Sequence, residues 1–224
     1  MLFDEGMRDA VTNLLEEASN SIVLPFFKNL KKEQIETKSS PNDFVTVADR
    51  KSEDFLTKAL VRLIGQSKVV GEEASSKKKQ NHFSVLSDEF VWTVDPVDGT
   101  KNFIDGNEQF CSMIALLHHG IAVASWIYIP KKATCYYADN FGVQVKHANA
   151  EYKILYRDDS VTKNSSVKDL RYSASLRYLS SDQKKKIRAS FGAFGKRVFT
   201  GSVGIDATLL LSLIHISEPT RQKP

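Results

Sequence analysis

Cysteine is almost missing from this 224-residue chain, which holds two, Cys111 and Cys135, in apolar contexts without metal-ligand spacing. That excludes a disulfide framework and a thiolate metal cage, and reads as two buried, reduced thiols in a cytoplasmic protein. No stretch approaches the ~18 consecutive apolar residues of a membrane helix. The opening MLFDEGMRDA lacks a basic segment followed by an apolar run, so no export signal is expected. Repeats and low-complexity linkers are absent too. Charge of one sign is scarce: 31 Lys+Arg against 27 Asp+Glu gives a net charge of +4. The basic residues are scattered, and the lysine runs at 77–79 and 184–186 read as solvated faces, so neither nucleic acid nor membrane is an expected partner.

What is present is enough apolar residue, 42%, for one sizeable core. Val11, Leu14, Leu15, Ala18 and Ile22 recur at helical steps, with Pro25 near the end. Ala48, Phe55, Leu56, Ala59, Leu60 and Leu63 repeat that period after the turn-rich SSPND, which puts Thr46 to Asp49 at a helix start. Two short apolar runs end in acid: Lys68 to Val70 before Gly71-Glu72-Glu73, and Phe90 to Val94 before Asp95. Cys111 to Leu117 and Ile121 to Ile129 flank His119-Gly120 as an antiparallel pair, and Thr134 to Ala138 follows as a strand. Strands near Tyr172 and at Arg197 to Phe199, and helices at Gln183 to Ser190 and after Gly201-Ser202, complete a mixed, layered α/β pattern.

The chemistry concentrates in VDPVDGTKNF, Val94 to Phe103. Pro96 fixes its own φ and disfavours helical geometry at Asp95, so Asp95 and Asp98 are expected around one turn, aimed at a shared spot. Two carboxylates that close repel unless a cation lies between them, and a hard divalent ion such as Mg²⁺ suits oxygen ligands. Gly99 and Thr100 then offer backbone N–H groups at a helix start for an anion. An Asp-rich cap is the plain alternative for D-G alone.

With GEEAS at 71–75 and DFVTVADR at 43–50, WTVDPVDGTKNF closely resembles the inositol monophosphatase family of magnesium-dependent phosphatases. The resemblance runs from the first helix to about Leu210. It implies a layered α/β/α/β/α sandwich related to fructose bisphosphatase, incomplete at the C-terminus. It also implies that Glu72, Asp95, Asp98 and the carbonyl of Val97 are metal ligands, and that Asp49 and Thr100 orient and deprotonate the attacking water, which one Mg²⁺ held by Glu72 and Asp95 activates. By the same resemblance Asp98, Gly99 and Thr100 are expected to border the phosphate, and Gly201, Ser202 and Val203 the alcohol portion of the substrate. Lithium sensitivity is implied as well. His82, His118, His119 and His147 are left without catalytic roles, and Trp92 and Trp126 read as core anchors.

The resemblance implies a small phosphorylated substrate, inositol monophosphate first. Lys101 is also found in related bisphosphate nucleotidases, so these, histidinol phosphatases, and a non-catalytic regulatory binding protein on the same fold are the alternatives. Family relatives dimerise, although no interface is legible in one sequence.

From Leu211 the chain departs from the family pattern. All eleven residues from Leu211 to Arg221, LSLIHISEPTR, match the translation of a transposase-type sequencing adapter. Residues 1–210 are therefore expected to be the phosphatase-type domain and 211–224 a non-native tail, with a strand layer and a Trp-Asp metal-ligand motif lost and activity impaired. Sequencing the source gene across the codon for Leu210 is expected to reveal an open frame continuing into a Trp-Asp motif. Genomic DNA encoding this same tail and stop would overturn that expectation.

Overall fold

The computed structural model describes residues 4–38, 43–78, 88–155, 166, 168, 172–174, 176 and 179–214. Lys79, His82 and 215–224, part of the expected tail, lie outside them. Helix α1 spans Glu5–Ala18 and is capped by Asp4, which accepts from Met7 N–H at 3.0 Å. Val11, Leu15 and Ala18 are buried at the expected steps. A π-helical stretch, Ser19–Val23, then widens the turn by a residue, so Val23 rather than Ile22 reaches the core. Pro25 sits in the first turn of α2, Leu24–Phe26. A short hairpin of β1, Ile35–Thr37, and β2, Phe44–Thr46, delivers the chain to α3, Val47–Leu63. Thr46 is the N-cap of α3, as the sequence predicts. Its hydroxyl accepts from Ala48 and Asp49 N–H, while Asp49 accepts from Thr46 N–H at 2.9 Å.

The main sheet has seven strands among the described residues, in chain order. They are β3, Lys68–Gly71; β4, Phe90–Asp98; β5, Cys111–His118; β6, Ile121–Ile129; β7, Thr134–Asp139; β8, Gly142–His147; and β9, Lys153–Leu155. Only β3 and β4 run parallel; every later neighbour is antiparallel. The β5–β6 turn is His119-Gly120, both at positive φ (48° and 80°), the two-residue geometry whose twist matches the strands. β8 alternates only across Val143-Gln144-Val145-Lys146 and β9 is three residues long at the sheet end, so neither is expected from the sequence. The remaining helices are α4, Glu72–Lys78; α5, Thr100–Ile104; α6, Ser181–Ser190; and α7, Val203–Ile214. The strands expected near Tyr172 and Arg197 reduce to one parallel bridge between those two residues. Arg197 instead donates to Ala174 O at 2.7 Å and lies over the Phe199 ring.

Strand alternation gives the sheet two apolar faces. On one, Trp92, Val94, Ile114, Leu116, Ala124 and Trp126 pack against Val11, Leu15, Leu56 and Leu60 of α1 and α3. The indoles of Trp92 and Trp126 lie 6.1 Å apart and are fully buried, the anchoring role read from the sequence. On the other, Ile205 and Leu209 of α7 meet Cys111, Ile127 and Ile129. Helices thus flank a mixed sheet on both sides. Both thiols are free and buried. No helix among the described residues is long and apolar enough to cross a membrane.

Gly204 sets the approach of α7. A Cβ there would collide with Cys111 Sγ and lie 2.8 Å from Met113 Sδ. Gly204→Ala is therefore expected to lower stability by about 1–3 kcal/mol. Gly192→Ala, where nothing lies within 4 Å of the added carbon, should stay within about 0.5 kcal/mol of wild type. Equal denaturant midpoints for the two variants would refute the close packing.

Candidate active site

The parallel register of β3 and β4 pairs Gly71 with Val94, so the next residue on each strand, Glu72 and Asp95, emerges at the same sheet end. Ligand sites in α/β sheets form at such carboxyl ends. Asp95 and Asp98 do not lie around a turn, as the sequence reading expects. β4 continues through both, with a bulge that sets Asp95 opposite Met113 and Asp98 opposite Cys111. Three residues on β4 thereby span two on β5, and the extra residue returns both acids to one face. Pro96, which donates no ladder hydrogen bond, sits inside the bulge, where the sheet tolerates it. Its carbonyl accepts from Ser112 Oγ at 2.7 Å.

Glu72 opens α4, and a residue from another helix fixes that opening. The Glu53 carboxylate, one turn beyond Asp49 on α3, accepts from Glu73 N–H at 2.7 Å and Ala74 N–H at 2.8 Å. Gly71 makes room for it: a Cβ there would strike the Glu53 carboxyl group. Lys38, which follows β1, reaches in to donate to Glu72 Oε1 at 2.8 Å and Glu73 Oε1 at 2.5 Å. Burial pushes the Glu73 carboxyl up to about 7 despite that ammonium.

Asp49 and Thr100 meet as well. Thr100 Oγ1 donates to Asp49 Oδ1 at 3.2 Å and contacts the Val97 carbonyl at 3.0 Å. Asp49 Oδ2 is held by Thr46, and burial pushes the carboxyl up to about 6. Gly99 has φ +89° and caps α5, and its absent Cβ would press on Gln109 O and Ser202 Cβ at 3.0 Å each. From the start of α7, Ser202 Oγ and Gly204 N–H both donate to Asp98 Oδ2, at 2.6 and 2.7 Å. Gly201 adopts φ +89° against Asn102, while Val203 points outward, 60% exposed.

Burial and mutual repulsion leave these carboxylates short of positive charge. Burial first, then the charges of Glu72 and Asp98, push the Asp95 carboxyl well up, and its Oδ1 is shielded from water without a hydrogen-bond partner among the described residues. Burial also pushes Asp98 upward. No three His, Cys, Asp or Glu side chains among the described residues close around one point. The oxygens that could hold a cation, the carboxylates of Glu72, Asp95 and Asp98 and the Val97 carbonyl, therefore form no closed cage. Such oxygen ligands, leaving positions for water and phosphate, suit a hard divalent ion.

The described histidines, His118, His119 and His147, stay outside. His118 stacks on Phe90 at 4.7 Å, and His147 bonds Thr134 Oγ1 at 3.0 Å. Lys101 pairs with Asp105 on the exposed face of α5. Sequence reasoning missed Lys38, Glu53, Glu73 and Asn102. The four-residue spacing of Asp49 and Glu53 on one helix was the available signal for Glu53; nothing local marks Lys38.

The inositol monophosphatase family model matches residues 5–211. A putative Nus factor SuhB of Neisseria meningitidis is 37% identical over 97 residues, 43% of this chain and 35% of that protein. The inositol-1-monophosphatase of Bacillus subtilis is 34% identical over 94 residues, 42% and 34% respectively. These matches span about a third of the length of the curated relatives. Among solved structures, the Thermotoga maritima IMPase superposes with TM-score 0.69 at 18% identity, over 92% of this chain and 72% of that one. A staphylococcal IMPase-I complexed with products gives 0.71 at 17% identity, over 95% and 73%. Structural likeness at such identity establishes the fold, a mixed α/β layering of the IMPase type, and the family match covers nearly all of the described chain. The chain belongs to the inositol monophosphatase family.

Proposed function

We propose that the protein hydrolyses a small phosphomonoester, inositol monophosphate first, to alcohol and phosphate with a metal-activated water. The observation that carries this reading is the β4 bulge. It sets Asp95 and Asp98 on one face beside Glu72 and leaves a shielded Asp95 oxygen without a hydrogen-bond partner among the described residues. Glu72, Asp95, Asp98 and the Val97 carbonyl would hold Mg²⁺. When bound, the ion lowers the pKa of a water and neutralises charge on the transferring phosphoryl group.

The chain's own groups do the rest. Thr100, oriented by Asp49, holds the attacking water through its hydroxyl, and Asp49, raised to about 6, accepts the proton the water gives up. The amides of Gly99 and Thr100 face the phosphate at the start of α5. The P–O bond to water forms as the ester P–O bond breaks, and the leaving oxygen takes up a proton to become the alcohol. Gly201, Ser202 and Val203 border that alcohol.

Two observations rank the substrates. Lys101 is engaged by Asp105 on an exposed face, which favours a monophosphate over a bisphosphate. The acids Glu72, Asp95 and Asp98 are all in place, which favours catalysis over a purely regulatory role of the kind the Nus-factor name of the Neisseria relative indicates. The free buried thiols fit a reducing cytoplasm.

A panel of inositol monophosphate, histidinol phosphate and a nucleoside bisphosphate, assayed with Mg²⁺ on the product of the source gene, tests the reading. Phosphate should come fastest from inositol monophosphate. Asp98→Asn, which removes a negative ligand and keeps the shape, should lower turnover by about 10²–10³-fold with little change in folding. Wild-type turnover of that variant at limiting Mg²⁺ would sink the metal-site assignment. Lithium should inhibit the same reaction, and excess Mg²⁺ should inhibit similarly; turnover indifferent to lithium at concentrations well above the metal-site affinity would place the enzyme outside the lithium-sensitive branch.

A further inference from the structure

Asp206, on the first turn of α7, has no place in the reaction above, yet it is 4% exposed and fully engaged. Its Oδ1 accepts from Thr200 N–H at 2.8 Å and Thr200 Oγ1 at 2.7 Å, and its Oδ2 accepts from Ser173 Oγ at 2.7 Å. A buried carboxylate with three donors is an expensive way to hold an ordinary loop. What it holds is the segment 200–204.

That segment is clamped from two further sides. Asn102 Nδ2, on α5, donates to Thr200 O at 2.9 Å and to Gln109 O at 2.6 Å. Thr200 Oγ1 also bonds Ser202 O at 3.1 Å and accepts from Ser202 N–H at 3.3 Å. The far end of the chain of bonds is Asp98. Ser202 Oγ and Gly204 N–H both land on its Oδ2, and none of these bonds uses Oδ1. Gly201, at φ +89°, makes the sharp turn between Thr200 and Ser202 possible. Thr200 is therefore fixed from below by Asp206 and from the side by Asn102, and its fixed position aims Ser202 and Gly204 at one oxygen of Asp98.

We propose that Asp206 is a positioning residue for the metal site: through Thr200 and Ser202 it sets the orientation of the Asp98 carboxylate, keeping one oxygen occupied and the other presented to the cation. This rests on the proposed reading of Asp98 as a metal ligand. Groups that hold a ligand by hydrogen bonds commonly cost about 10–100-fold in metal affinity when removed.

The test uses the 224-residue chain and Mn²⁺, an ion with the same oxygen-ligand preference, followed by loss of the free Mn²⁺ spin-resonance signal. Asp206→Ala should weaken Mn²⁺ binding about tenfold or more. Asp206→Asn, whose carbonyl still accepts from Thr200 and whose amide can donate to Ser173, should stay within about threefold of wild type. Rescue by Asn separates positioning from a mere requirement for bulk. Thr200→Val, which keeps the side-chain shape and removes the same hydroxyl bond, should also weaken binding, and it carries the test if Asp206→Ala does not fold. Binding at wild-type strength in Asp206→Ala and Thr200→Val, with Glu72→Gln abolishing it, overturns this inference and leaves the metal site standing. No saturable Mn²⁺ binding by the wild-type chain overturns the metal site and this inference together.

Discussion

Like charges held close together below the reach of water are the constraint on which this site depends. Asp49, Glu53, Glu73, Asp95 and Asp98 are all pushed above the usual carboxylate range, and burial is the first cause for each. Such a carboxyl keeps its proton longer in the folded chain than in the unfolded one. Its contribution to stability is fullest at low pH and is lost as pH rises, from the ordinary 3.8 toward about 6 for Asp49 and from 4.5 toward about 7 for Glu73. At neutral pH the cluster therefore opposes folding unless positive charge offsets it. Lys38 supplies part of that charge through Glu72 and Glu73. A cation at Asp95 would supply more, and metal binding and fold stability would then be linked.

The parts of this arrangement that the sequence made legible are those encoded by neighbours. Thr46 and Asp49 form a capping box three residues apart, and the start of α3 follows from them. β3 and β4 are apolar runs ending in acid, and the His119-Gly120 turn joins two strands of clear alternation. The bulge was not legible. Pro96 reads as the exit from a strand, and only pairing with β5 shows that the strand continues past it. That distinction matters chemically, because the bulge rather than a turn puts Asp95 and Asp98 on one face. Lys38, Glu53 and Asp206 escaped notice for a related reason. Each acts on a residue far along the chain or through an intermediary, and no spacing records such a contact.

Several residues carry structure and chemistry together. Asp49 closes the cap of α3 with one oxygen and receives Thr100 with the other. Glu53 caps α4 and in doing so fixes where Glu72 begins. Asp98 receives the α7 segment on Oδ2. Loss of activity on replacing any of them is ambiguous by itself, since the backbone around the site moves too. Substitutions that keep hydrogen-bonding capacity and remove charge are the informative ones.

The site draws on separate stretches: Lys38, the start of α3, the β3–α4 junction, the β4 bulge with α5, and the entry to α7. The strand ends and helix caps among them are rigid because sheet pairing or buried caps fix them, and these carry the groups proposed to meet cation, phosphate and water. The entry to α7 differs. Among the described residues it reaches the site through hydrogen bonds to Asn102, Asp98 and Cys111 and the packing of Gly204 on the sheet, and it exposes Phe199 and Val203. Phe199 and Val203, whose exposed side chains make none of the hydrogen bonds to Asp98 or Asp206, can vary without disturbing the carboxylates, whereas Thr200 and Ser202 cannot. On the proposed reading, discrimination among alcohol portions would fall to such exposed side chains, and the motifs that identify the family, all of them on the rigid side, carry little information about it.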